Sequence, residues 1–120
     1  MADVVVFVRD MLFSSKIREA ARVLGRTTAS VRDAAGLAGA AAGARLVIID
    51  LRLDGALDAL DALAADPASA AVPSVGFVDH ERTDVMDAAR ARGCGRVLTK
   101  GQFARDLPAL LSPGPEDRRE

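Results

Sequence analysis

The chain has 120 residues, 50% of them hydrophobic, which is enough to bury one core and too few for two domains of ordinary size. Sixteen basic against seventeen acidic residues give a net charge of -1. With no Trp, no Tyr and four Phe, the composition excludes both the basic footprint and the stacking platform of a general nucleic-acid binder. One Cys and one His exclude an internal disulfide and a structural zinc site, and no apolar run approaches the ~20 residues of a membrane-spanning helix.

Val4 to Val8 is continuously apolar and rich in β-branched residues, which suits a strand buried on both faces of a parallel sheet. Met1-Ala2-Asp3 leads directly into it without the basic segment and cleavage site of a secretory signal, so a cytoplasmic location is expected. Ile17, Ala20, Ala21, Val23 and Leu24 recur at helical spacing, with Ser14 or Ser15 as the cap and Gly25 as the stop. Arg26 to Ala29 is a short edge strand, and Ser30 caps a second helix that runs through an Ala- and Gly-rich stretch to about Ala42. Leu46 to Ile49 repeats the buried-strand pattern and ends on Asp50. A third helix carries Leu57, Leu60 and Leu63 and stops at Asp66-Pro67, where the proline acts as a breaker. Val72 to Val78 is a fourth strand, Glu81 to Arg92 a fourth helix closed by Gly93, and Arg96 to Leu98 a short fifth strand. Phe103, Leu107, Leu110 and Leu111 mark a fifth and last helix. Residues 1–112 thus form one domain, and residues 113–120, polar and rich in breakers, are expected to be a disordered tail.

Strands alternating with helices imply a three-layer, doubly wound flavodoxin-like α/β fold, a five-stranded parallel sheet of order 2-1-3-4-5 with helices on both faces. In such a sheet ligands and reactions lie at the carboxyl ends of the strands. The residues placed there are Arg9-Asp10, Asp50, Val78-Asp79-His80 and Thr99-Lys100. A carboxylate that ends an apolar strand is poorly solvated unless it is paired. Lys100 and Lys16 are the only lysines beside fourteen arginines, a hint that a compact ammonium is wanted at both positions.

Two segments, Leu46-Val47-Ile48-Ile49-Asp50 and Gly93-Cys94-Gly95-Arg96-Val97-Leu98-Thr99-Lys100, resemble the phosphoacceptor strand and the glycine-to-lysine segment of response-regulator receiver domains, the CheY-like superfamily. The resemblance covers nearly all of the chain up to the tail. It implies that Asp50 attacks a phosphoryl donor supplied by a histidine kinase, that Lys100 pairs with the phosphoryl group, and that Asp10 and Asp50 hold Mg²⁺. The chemistry is simple: a carboxylate meeting a phosphoryl group needs a divalent cation and an ammonium to neutralise the developing charge. The sequence also departs from the family pattern. Val78 stands where the family has Thr or Ser, and Val97 where many members carry a switching Tyr or Phe. The loop Leu51-Arg52-Leu53-Asp54-Gly55 lacks the usual Pro, and Gly101 follows Lys100 where a Pro is usual. Arg9 and Asp10 compete for the main metal-ligand position, and an inward Arg9 would neutralise Asp50 in place of Mg²⁺.

These departures favour an atypical receiver-like signalling domain that acts by protein contact without a working phosphorylation switch, and not an enzyme. A genuine Mg²⁺-dependent phosphoacceptor using Asp50 is the alternative. A flavodoxin-like small-ligand binder is a second one, with no Walker or Gly-x-Gly-x-x-Gly motif in its support. Asp50 and Lys100 are expected to approach within salt-bridge or single-water distance. The resemblance places the partner or homodimer surface on the fourth helix, fifth strand and fifth helix, where Met86 and Arg90 lie beside Val97. Neither nucleic acid nor a membrane is an expected partner. His80 is a solvated loop residue, Cys94 a packed core thiol, and Phe13 and Phe103 are anchors of the core or cleft edge. Met11-Leu12-Phe13 can alternatively form an exposed apolar lip that suits a partner.

Overall fold

The structure, a computed structural model, describes residues 2–112, so the expected tail at 113–120 lies outside the described residues. Strands β1 (Val4–Phe7), β2 (Thr28–Ser30), β3 (Leu46–Asp50), β4 (Ser74–Val78) and β5 (Arg96–Thr99) form one parallel sheet in the order β2-β1-β3-β4-β5. The helices are α1 (Met11–Val23), α2 (Ala34–Ala41), α3 (Ala56–Ala65), α4 (Pro67–Ala70), α5 (Thr83–Ala91) and α6 (Lys100–Leu111). Fold class and strand order are those expected from the sequence. No helix among the described residues is long and apolar enough to cross a membrane.

Successive side chains of a strand leave on opposite faces, so a strand that is apolar at every position needs cover on both. Val5, Phe7, Val47 and Ile49 pack with Leu37 of α2, Leu60 of α3 and Met86 of α5. Val4, Val6, Ile48 and Phe77 pack on the other face with Ile17 of α1 and with Phe103 and Leu107 of α6. The uninterrupted runs in the sequence thus become two core layers with the sheet between them.

The helix starts differ from expectation for a common reason, competition among nearby side-chain oxygens for the first free amides. Asp10, not Ser14 or Ser15, caps α1: its Oδ1 accepts from the amides of Leu12 at 2.9 Å and Phe13 at 3.2 Å. Ser14 is buried instead, and its hydroxyl donates to the Val8 carbonyl. Asp33, not Ser30, caps α2 through the Gly36 amide, and Ser30 ends β2. Pro67 does end α3, but it also opens the single turn α4. There Asp66 accepts from the Ala68 amide at 2.9 Å, and the missing proline N–H costs nothing at a first helical position.

Gly76 on β4 marks a tight approach between the sheet and the segment that follows β3. A Cβ at this position would stand 2.7 Å from Leu51 Cδ1 and 2.9 Å from its Cγ. The bare backbone at Gly76 therefore lets Leu51 turn inward directly after Asp50. That turn fixes where Arg52, the next residue, can reach.

Candidate functional site

The carboxyl edge of the sheet brings together Asp50 from β3, Asp10 after β1, Asp79 after β4 and Lys100 after β5. Asp50 is buried, with 1% of its surface exposed, so its carboxylate needs partners. Arg52 supplies them. Its Nε donates to Asp50 Oδ1 at 2.9 Å and its Nη2 to Oδ2 at 2.8 Å, while the Arg52 amide donates to Oδ1 at 3.0 Å. This fork-on-carboxylate geometry is the strongest form of ion pair a side chain can make. Hydrogen bonding to Asp50 raises the already high Arg52 pKa further, so the guanidinium is permanently charged.

Arg52 also serves as the local hub. Its Nη2 lies 3.6 Å from Asp10 Oδ2, and its guanidinium carbon sits 5.7 Å from the Phe77 ring centroid and 6.0 Å from that of Phe13. The two rings give the cation an apolar, weakly attractive floor. The arginine thus neutralises both carboxylates assigned to Mg²⁺ by the sequence.

Lys100 makes its direct ion pair with Asp79 and not with Asp50. Its Nζ lies 3.5 Å from Asp79 Oδ1 and 5.9 Å from the Phe13 ring centroid. The bidentate arginine already satisfies Asp50, which leaves the ammonium to the next carboxylate along the edge. Arg9 is equally remote from the inward role considered for it: it is exposed, and its Nη2 donates to the Arg32 carbonyl at 3.1 Å. The residue that neutralises Asp50 is therefore an arginine, but it comes from the loop after β3. Sequence reasoning missed Arg52 as a partner. The available signal was its position two residues after a strand-end aspartate, where a side chain that accepts from the amide at i+2 folds the arginine back onto it.

Asp10 divides its oxygens between the α1 cap and Arg52. The Phe13 amide first, then the Leu12 amide and the Arg52 charge, hold its carboxyl below the ordinary aspartate value. A lowered folded value means stability that is fully present above the unfolded value of 3.8 and lost as pH falls through the folded one. Asp10→Ala is accordingly expected to lower the urea midpoint at neutral pH, with the gap to wild type closing in acid. Asp10→Asn, which keeps a capping oxygen, should lie between the two. An alanine defect of the same size at both pH values would show that the ionised carboxylate contributes nothing.

Val78 is fully buried in the core beside β5, where it pairs with Thr99, and presents no hydroxyl. The Thr99 hydroxyl accepts from the Gln102 amide in a capping box that opens α6. His80 is exposed, as expected of a solvated loop residue. Cys94 is buried, with burial pushing its thiol pKa up, and it behaves as packing. Asp61, Asp84 and Asp87 are exposed and ion-paired with Arg92, Arg82 and Arg90.

Met86 requires a correction. It is 9% exposed and packs in the core layer with Ala89, whereas its neighbour Val85 is half-buried. Met86 and Ala89 are one turn apart, so the helix buries the stripe through these two positions. Arg90 is exposed, and Val97 is half-buried against the core.

The residues as arranged do not fit a divalent cation. Both Asp50 oxygens and one Asp10 oxygen face Arg52, and no group of three or more His, Cys, Asp or Glu among the described residues could hold a metal ion. The charge that a metal would supply is provided by the guanidinium.

The fold is that of response-regulator receiver domains. No protein-family model and no curated protein matches the sequence. Similar solved structures include the phosphorylated cyanobacterial phytochrome response regulator RcpA, at TM-score 0.76 and 16% identity over 91% of this chain and 90% of that one. The receiver domain of a sensor histidine kinase from Pseudomonas aeruginosa, with a magnesium ion coordinated in its active-site cleft, matches at 0.76 and 18% over 92% and 93%. The receiver domain of NtrX from Brucella abortus matches at 0.73 and 23% over 90% and 93%.

Proposed function

We propose that this chain is an atypical receiver-like signalling domain that works by contact with another protein and carries no working phosphorylation switch. The carrying observation is the Asp50–Arg52 pair: a buried carboxylate with both oxygens engaged by a bidentate guanidinium, at 2.9 and 2.8 Å, must shed that cation before it can attack a phosphoryl group or take up a metal. The missing hydroxyl at Val78 and the diversion of Lys100 to Asp79 support the same reading, because each removes a group that would hold a transferred phosphoryl.

The partner face in this proposal is the β5 side of the domain. β5 is an edge strand, paired on one side only, and such edges invite a covering partner. Arg90, Arg96 and Val97 are the side chains it offers, with Met86 withdrawn into the core. Val97 carries two methyl groups on its β-carbon and has no aromatic ring to rotate, so the face would be presented permanently.

One observation favours the alternative, a Mg²⁺-dependent phosphoacceptor fed by a histidine kinase. Asp10 and Asp50 both reach the same guanidinium nitrogen, at 3.6 and 2.8 Å, so a swing of Arg52 would leave two carboxylates around one cation position. Incubation with acetyl phosphate and Mg²⁺, followed by intact-mass measurement, separates the readings. No added phosphoryl group is the expected result. Efficient Mg²⁺-dependent modification that disappears in Asp50→Asn would establish the phosphoacceptor instead.

A further inference from the structure

Among the described residues, the large hydrophobic side chains left exposed are Met11 (75%), Leu12 (64%), Val23 (69%) and Leu24 (40%), and all belong to α1 or its C-cap. Leu12 and Val23 lie on one helical stripe with Lys16 and Glu19 between them, since these positions follow one another at alternating spacings of four and three residues. The stripe itself, with Ala20 and with Pro108 of α6, lines an open apolar groove of about 520 Å³. Only its N-terminal end adjoins the Asp50 edge, through the Asp10 cap, and its side chains take no part in the function proposed above.

The order of residues along the stripe identifies what covers it. In a closed dimer the two copies present the same patch, which must therefore be complementary to itself. A twofold axis across α1 midway between Ile17 and Arg18 sets two copies of the helix antiparallel and brings residues equidistant from that midpoint level with each other. Leu12 then meets the partner's Val23, and Lys16 meets the partner's Glu19. Met11 and Leu24 lie about 100° off the stripe on opposite flanks, so they border the seam and stay outside it. Ser15 and Ala20, which flank the centre, are small enough to admit a close helix.

The charges agree with this occupant. Lys16 has no hydrogen-bonding or ionic partner among the described residues. Glu19 is held only by Arg22 on the open surface, at 2.6 Å, with both side chains mostly exposed. A compact ammonium fits a helix seam better than a guanidinium fork, which gives a reason for one of the two lysines in an arginine-rich chain. An unrelated partner would require complementarity to itself alone; the match of each half of α1 to the other half is what a second copy requires.

We propose that α1 is the interface of a twofold homodimer, two antiparallel α1 helices with apolar ends and crossed Lys16–Glu19 pairs at the centre. Self-association is thereby assigned to the α1 face, across the sheet from α5, and leaves Arg90 and Val97 free for a different protein.

The test is sedimentation velocity of the full chain over a concentration series, with circular dichroism on every variant to establish that it is folded. The wild type is expected to dimerise. Lys16→Glu sets acid against acid and Glu19→Lys base against base, and each should weaken association by about tenfold or more, as like charges across an interface do. The double reversal, Lys16→Glu with Glu19→Lys, should recover it. A mixture of the two single variants should form a one-to-one heterodimer in which every charge again faces its opposite. Leu12→Arg should give a monomer. A wild type that stays monomeric throughout the series, single reversals without effect, or a double reversal that fails to recover would each overturn the proposal.

Discussion

Arg52→Ala is expected to lower the unfolding free energy by about 2–3 kcal/mol, because it strands a carboxylate that the fold does not let out into water. Removing one partner of a fully buried ion pair typically costs about 3–5 kcal/mol. Arg52 keeps 27% of its side chain exposed while Asp50 keeps 2%, so some water reaches the pair and the lower figure applies. Asp50→Asn should cost less, about 1 kcal/mol, since the arginine can turn to solvent and the amide oxygen can still accept from the Arg52 backbone. The asymmetry is the signature of a buried anion served by a half-open cation. Mg²⁺ provides the second reading of the same variant. Wild-type urea midpoints should be indifferent to millimolar Mg²⁺, whereas Arg52→Ala, with Asp10 and Asp50 both unpaired, should gain stability as the metal binds the folded state. Equal losses for Arg52→Ala and Asp50→Asn, or a wild type that follows Mg²⁺ as steeply as the variant, would show that the guanidinium is not the resident cation.

The strands were legible because burial on both faces leaves a plain trace: Val4 to Val8 and Leu46 to Ile49 have no polar position at which to be exposed. Asp50 was legible as the charge that ends an apolar run, and Lys100 as the charge that follows the short fifth strand. What joined them was not. Whether Lys100 or Arg52 reaches Asp50 depends on the turn at Leu51, which depends in turn on the space left by Gly76, a contact between segments distant in sequence. The choice between Arg9 and Asp10 likewise rested on which side chain turns back to cap α1, a matter of a few local hydrogen bonds. Met86 was misplaced because α5 has small residues at Ala88, Ala89 and Ala91, and such a sequence leaves the helix's rotation to be set by the sheet beneath it.

The same dependence of the site on distant packing makes Phe77 the residue whose loss should cost most. Phe77 is fully buried on β4, stacked on Phe103 at 4.5 Å between ring centroids and tilted against Phe13 at 5.0 Å. It pairs with Asp50 across the sheet, and its ring lies 5.7 Å from the Arg52 guanidinium carbon. Phe77→Ala removes the centre of the aromatic cluster and leaves a cavity between β4 and α6, at an expected cost of about 3–5 kcal/mol. In a small domain that is a large share of the whole stability. Phe77→Leu refills most of the volume and should cost about 1–2 kcal/mol, but it takes away the ring face under the cation. Combining each substitution with Arg52→Ala in a double-mutant cycle separates volume from charge. If the ring attracts the guanidinium, Phe77→Leu and Arg52→Ala should be coupled by about 0.5–1 kcal/mol. Costs that simply add would reduce Phe77 to a filler of space, and the position of Arg52 would then rest on Asp50 and Asp10 alone.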